Sequence, residues 1–294
     1  MKRWCKRLRN SAYARFRVHP FLEGFSKRRA INRFKDLSYT PTISVITPVY
    51  NIALPWLCST IQSVLSQLYP CWQLCLADDA STDKRIPVML HTFQQQDPRI
   101  RTVCLEHNRG ISAASNAALA LASGEFVAFL DHDDELHCLA LYEVARMLNR
   151  YPDTDLIFTD EDKLTLDGKR RDPVRKPGWS PKKFLNYNYL CHLVVCRKEL
   201  VDKVGGFREG YEGSQDYDLL LRVTEITDRI RHIPKVLYHW RMVPGSAAQV
   251  VDAKGYAFER SKQALRDAMI RRGIRAEVLD GEAPGTFRVL EKST

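Results

Sequence analysis

An α/β fold, with a mostly parallel central sheet flanked by helices, is what this 294-residue sequence predicts. From Pro41 onward, short apolar runs alternate with amphipathic stretches, the pattern of successive βαβ units. Three of the runs end on acids: Asp78-Asp79, Asp131-His132-Asp133 and Asp160-Glu161-Asp162. A run such as Phe126–Leu130 reads as a strand buried on both faces, and such sheets bind ligands outside the carboxyl ends of their strands. In a parallel sheet the three acidic ends share one edge. Their mutual repulsion there is unfavourable unless a cation or hydrogen-bond donors offset it.

The elements follow in order. Ile43–Thr47 is a first strand, closed by Pro48. Apolar residues at 57, 61, 64, 65 and 68 predict a helix over Leu54–Leu68, stopped before Pro70. Trp72–Ala77 is a second strand, Ile86–Gln96 a helix and Ile100–Leu105 a third strand. Ile111–Ser123, rich in alanine, is a helix ended by Gly124, and Phe126–Leu130 is the fourth strand. An amphipathic helix over Leu139–Arg150 leads to the strand Leu156–Thr159. Residues 167–183, rich in Lys, Arg and Pro, read as a loop or lid. Leu190–Cys196 reads as a strand and Lys198–Val204 as a helix stopped by Gly205-Gly206. A helix begins at Asp216, a strand spans Arg231–His239, and a charged helix spans Tyr256–Arg272. Two short strands follow, near 275–279 and 286–290.

Composition restricts the function classes. Apolar residues make up 45% and charged residues 27%, ordinary for a globular protein. No stretch of 18 apolar residues predicts a membrane span, and the N-terminus has no apolar core of a secretory signal. The eight cysteines form no C-x-x-C pair and read as free thiols of a reducing, cytoplasmic compartment. Charge is unevenly placed. Residues 1–40 hold 12 Lys or Arg against Glu23 and Asp36, while the remainder holds 33 charges of each sign. Trp4, Phe16, Phe21 and Phe25 are interleaved with those cations. The segment suits an anionic membrane surface, where each nearby cation contributes about 1 kcal/mol. Nucleic acid would attract such an arm too, and a solvated leader has the same composition. The neutral remainder has no basic stripe, which argues against nucleic acid.

Several motifs lie in order along the chain: Ser44-Val-Ile-Thr-Pro-Val-Tyr-Asn51, Ser63-Val-Leu-Ser-Gln-Leu68, Asp78-Asp-Ala-Ser-Thr-Asp83, Asn108-Arg-Gly-Ile-Ser-Ala-Ala-Ser-Asn116 and Leu130-Asp-His-Asp-Asp134. With these the chain resembles family 2 glycosyltransferases of the GT-A fold, over roughly residues 41–245. Thr159-Asp-Glu-Asp-Lys163, Gly213-Ser-Gln-Asp-Tyr-Asp218 and Tyr238-His-Trp-Arg241 resemble the bacterial branch that builds O-antigen and other surface polysaccharides, several rhamnosyltransferases among them.

The resemblance implies a catalytic domain over 41–245, with a nucleotide-sugar half at 41–135 and an acceptor half at 136–245. The basic segment 1–40 precedes it, and a C-terminal helix with short strands, 246–294, follows. It implies inverting transfer from a UDP- or dTDP-sugar to a lipid-linked saccharide, at the inner face of the cytoplasmic membrane. Pro48, Tyr50, Asn51, Asp79, Asn108 and Gly110 fall at donor-binding positions, with Tyr50 and Asp79 against a pyrimidine base. Asp131 falls at the position of the ribose and metal-shell acid. Asp133 falls at the ligand of a divalent metal (Mg²⁺ or Mn²⁺), and His239 is a candidate third ligand. Asp216 matches the catalytic base, and Arg241 is a candidate diphosphate partner. Asp160 and Asp162 are expected to shape the acceptor side. Gln215 stands where many relatives have Glu, which puts in doubt only that neighbour's role.

Rival classes fare worse. A dinucleotide-dependent oxidoreductase needs G-x-G-x-x-G after its first strand, where Pro48-Val-Tyr-Asn51 stands. A nucleotidyltransferase of similar fold remains the alternative, though no Gly-rich phosphate loop is visible near the start.

Overall fold

The computed structural model describes residues 37–243 and 255–292. Residues 1–36 of the basic segment lie outside the described residues. Strands β1 (Ile43–Val49), β2 (Trp72–Asp78), β3 (Ile100–Cys104) and β4 (Phe126–Phe129) form a parallel half-sheet in the order β3-β2-β1-β4. Every residue of β2 is buried, as expected of a strand covered on both faces. Helices α1 (Leu54–Leu65), α2 (Arg85–Gln96) and α3 (Ile111–Ala120) make the crossovers. Pro48 does not close β1. Its position pairs with Ala77 and the strand runs one residue further, to Val49.

Beyond β4 the sheet becomes mixed. A two-residue strand β5 (Glu135–Leu136) and helix α4 (Ala140–Arg150) precede β6 (Leu156–Leu164), β7 (Arg170–Val174), the short α5 (Pro181–Phe184) and β8 (Val194–Arg197). β8 lies antiparallel to both β4 and β6, so β4 and β6 run in the same direction. The three acidic clusters therefore lie toward one edge of the sheet. The third does not end its strand: β6 continues through Asp160–Asp162 to Leu164, paired with β9 (Ile230–Arg241). Within the expected 167–183 loop, Arg170–Val174 forms the strand β7 against β6.

Helices α6 (Lys198–Lys203), α7 (Gln215–Thr224) and α8 (Gly255–Arg271), with the hairpin β10 (Ala276–Asp280) and β11 (Phe287–Glu291), complete the described fold. Leu219–Leu221 and Val223 of α7 share one core with Leu265, Met269, Val278 and Phe287. The chain enters α7 through Gly213, at φ +85°, and a Cβ there would stand 2.8 Å from the Tyr256 ring. Glycine thus permits both the left-handed backbone and the close approach of α8 that set the start of the helix.

Candidate functional site

The carboxyl ends of β1 and β4 form the switch point of the parallel half, with β2 on one side of β1 and β4 on the other. Here the donor-side residues gather. Tyr50 is exposed at the end of β1. Asn51, at φ +45°, donates its N–H to Ser81 Oγ (3.0 Å), and its Oδ1 accepts from Thr82 N (2.8 Å), tying the loops after β1 and β2 together. Asp79 is buried, and its carboxylate accepts from the backbone N–H groups of Arg109 and Gly110 (2.8 Å each) and from Asn108 Nδ2 (2.9 Å). These bonds hold the turn at Gly110 (φ +87°) that starts α3. The carbonyl of Pro48 lies 3.2 Å from His132 Nδ1, linking this loop to the acidic turn.

At that turn the strand geometry stops. β4 ends at Phe129, and Asp134 N–H donates to the carbonyl of Asp131 at 3.3 Å. Asp131 and Asp134, three residues apart, then converge, where the resemblance implies Asp131 and Asp133. Ligand atoms of Asp131, Asp134 and His192 lie within 4.8 Å of one another. Asp131 is 45% exposed at its side chain, and its Oδ2 lies 3.8 Å from His192 Nε2. Asp134 is buried, accepting from Tyr238 Oη (2.5 Å) and from the backbone N–H of Arg241 (2.7 Å). Burial pushes the Asp134 carboxyl well above the ordinary range, and Asp133 and Asp131 add to it. Burial likewise raises Asp133, helped by Asp131. Burial opposes charge on His192, but Cys191, Asp131 and Glu161 outweigh it and hold its pKa well above the ordinary value. Asp131 and the His192 ring, with the buried Asp134 behind them bonded to Tyr238 and to the Arg241 N–H, fit a divalent cation of the Mn²⁺ or Mg²⁺ kind, whose charge offsets this crowding of acids.

Two expected ligands of charge stand elsewhere. Tyr238 and Trp240 meet the His192 ring, at 4.6 and 5.4 Å between centroids, so strand alternation sends His239 to the other face of β9. There His239 is buried, with Nδ1 2.6 Å from Asp162 Oδ1, and burial lowers its pKa. Burial alone would raise the Asp162 carboxyl, but His239 and Arg170 outweigh it and hold it below the usual range. Arg241, expected on a diphosphate, is buried. Its Nε donates to the Asp133 carbonyl (2.7 Å) and its Nη2 to Glu135, so it braces the acidic turn from behind. Asp160 accepts from Lys176 N–H (3.0 Å) and lies 2.8 Å from His232 Nε2, which spends it on the junction of β6 with the segment after β7.

Asp216 sits in the first turn of α7, partly buried, with Asn188 Nδ2 donating to its Oδ2 at 2.8 Å. Burial raises its pKa. His192 opposes the rise and Asp131 adds to it.

The sequence profile described as "Glycosyl transferase family 2" matches residues 44–205, more than half of the chain. The chain belongs to this family. It is 38% identical over 255 residues to the O-antigen biosynthesis protein RfbC of Myxococcus xanthus, covering 86% of this chain and 20% of that protein. The chain spans 28% and 20% of the lengths of two curated relatives it matches along most of its own length. Residues 1–349 of S. aureus TarS with UDP-GlcNAc superpose at a TM-score of 0.62 and 20% identity, over 78% of this chain and 66% of that one. The mannosyltransferase PcManGT of Pyrobaculum calidifontis, in complex with GDP-Man and Mn2+, superposes at 0.61 and 22% identity, over 90% and 73%. These likenesses show that the family 2 chain has the GT-A fold.

For this family 2 domain, sequence reasoning passed over His192, Asn188 and Asp134. His192 and Asn188 lie on the irregular segment before β8, where the run Leu190–Cys196 reads as strand interior. A histidine inside an otherwise apolar run was the available signal. Asp134 closes the motif Leu130-Asp-His-Asp-Asp134, in which the resemblance puts the metal ligand at Asp133.

Proposed function

We propose that this chain transfers a sugar, with inversion, from a pyrimidine nucleotide sugar to a glycan on a lipid carrier in the building of a surface polysaccharide. The observation that carries the reading is the convergence on one segment: Asn188 holds Asp216, and His192, four residues on, meets Asp131. A carboxylate thus faces a cluster suited to a diphosphate and its cation. Asp216 takes the proton of the acceptor hydroxyl as that oxygen bonds to the anomeric carbon. The bond from that carbon to the diphosphate oxygen breaks, and the nucleoside diphosphate leaves. Asp131 and His192, with Asp134 behind them, would hold a divalent cation, which when bound supplies charge to offset that developing on the leaving group. Tyr50 packs on the base and Asp79 accepts from its N–H, while Asn108 and Gly110 shape the turn beside it.

The UDP-GlcNAc and GDP-Man bound by the two structural neighbours support a nucleotide-sugar donor, and the Mn2+ of the second supports the cation. The RfbC likeness supports an O-antigen-like product. Among the described residues no helix is long and apolar enough to cross a membrane. The basic segment 1–40 supports peripheral docking at the inner face of the cytoplasmic membrane. Deleting residues 1–35 should then abolish co-sedimentation with anionic vesicles, and unchanged co-sedimentation would remove that assignment. The donor reading is tested by thermal shift with UDP-, dTDP- and GDP-sugars and Mn²⁺. Stabilisation confined to a uridine or thymidine donor is expected by mass action; a shift with the guanosine donor alone would overturn the pyrimidine assignment.

The Asp216 environment sets a pH dependence. The base acts only when ionised, and its pKa is raised by burial, so kcat falls on the acid side at a pH above the ordinary aspartate range. A kcat profile flat down to ordinary carboxylate pH would contradict this.

A further inference from the structure

We infer that the buried ion pair between Lys176 and Glu161 is a positioning device that fixes the backbone of residues 188–192, presenting Asn188 to Asp216 and His192 to Asp131; this rests on the transferase reading of that site. The side chains are 2% and 5% exposed, with Nζ to Oε2 at 2.9 Å. An ammonium carries three donors and no acceptor. Here all three are used, one on Glu161 and two on the carbonyls of Leu190 (2.6 Å) and His192. Glu161 Oε2 also accepts the backbone N–H of His192 at 3.1 Å. The pair therefore grips the chain on both sides of Cys191, which adopts φ +39°.

Stability alone does not account for such a pair. Taking two charges out of water costs about as much as their attraction returns, and apolar replacements of similar volume are often as stable. What this pair adds is direction, because every polar atom of it that faces the segment is bonded to main chain. Neighbouring bonds extend the grip. Thr159 Oγ1 accepts Leu193 N–H (3.3 Å), and Asn188 Oδ1 accepts Cys191 N–H (3.4 Å). The consequence reaches two side chains with separate duties. The His192 ring is seated flat on Tyr238 beside Asp131, and the Asn188 amide is turned to the Asp216 carboxylate. Among the hydrogen bonds and ion pairs of the described residues, Lys176 and Glu161 reach neither Asp131 nor Asp216, so they act through the segment.

The test is the double variant Lys176→Met/Glu161→Gln, which removes both charges together and leaves none buried and unpaired. Hydrogen exchange of the peptide covering residues 186–193 should accelerate at least about tenfold, with β1 and β2 unchanged. At saturating donor and Mn²⁺, kcat should fall about 10–100-fold, and half-saturation by Mn²⁺ should rise, as for lost supporting bonds around a metal site. In an Asn188→Ala/His192→Ala background the same two changes should cost less than about twofold in kcat, since their route is already cut. An equal loss in both backgrounds overturns the inference, as do exchange and kcat unchanged from the parent. Glu161→Gln alone is the second variant should the double not fold, with the same local exchange pattern expected and its absence equally damaging. If the unmodified chain turns over no nucleotide sugar, the transferase reading fails, and the exchange comparison still decides whether the pair holds the segment.

Discussion

Asp216→Asn should lower kcat by about 10²–10⁴-fold, the usual share of a positioned general base, while donor affinity stays within about twofold. The substitution is nearly isosteric. An Asn oxygen can still accept from Asn188 Nδ2, so the first turn of α7 keeps its contact with the segment before β8. What is lost is the capacity to take a proton. The donor-side residues, Tyr50, Asn51 and the Asp79 turn, belong to β1, β2 and the start of α3, and none contacts Asp216 among the hydrogen bonds of the described residues. Binding and turnover should therefore separate. Single-turnover rates together with donor titration check this; near-normal kcat removes Asp216 from the mechanism.

Asp131→Ala and His192→Ala should each weaken Mn²⁺-dependent nucleotide binding by at least about 10–100-fold, since each removes one of the two groups proposed to hold the cation. His239→Ala separates the two assignments of the metal site. The ring lies on the opposite face of β9 and bonds Asp162, so its loss should leave Mn²⁺ affinity within about twofold and cost about 1.5–3 kcal/mol of stability, the worth of a hydrogen bond to a charged group. Titration calorimetry with Mn²⁺ and UDP, beside urea unfolding, reads both. A His239→Ala protein that is stable but no longer binds Mn²⁺ would restore His239 as the ligand.

The parallel half of the fold was legible because its strands are covered on both faces and read as continuous apolar runs, each followed by a helix with its own period. The mixed half was harder for identifiable reasons. β5 is two residues long, too short for any period. β7 is Arg-Arg-Asp-Pro-Val and mostly exposed, so it has no buried face to mark it. β8 begins at Val194, four residues later than its apolar run, and the carbonyls of Leu190 and His192 just before it accept from Lys176. The Lys176–Glu161 pair is 15 residues apart and leaves no local trace. The acid clusters were legible as an edge, and Asp131 and Asp216 were named from their motifs. The partners of those acids were not, since Asn188 and His192 reach them across the fold. For Asp79 and Arg241 the position was legible and the engagement was not. Each is committed to backbone or carboxylate partners that sequence spacing does not reveal.

Proton NMR of the reaction tests the central claim most directly. The protein, Mn²⁺, a lipid-linked saccharide and a UDP- or dTDP-sugar are followed through the anomeric signals. Release of the nucleoside diphosphate with a new glycosidic linkage of inverted configuration is the expected result. Retention of configuration, or an unchanged donor across the nucleotide panel with the protein folded, would contradict it.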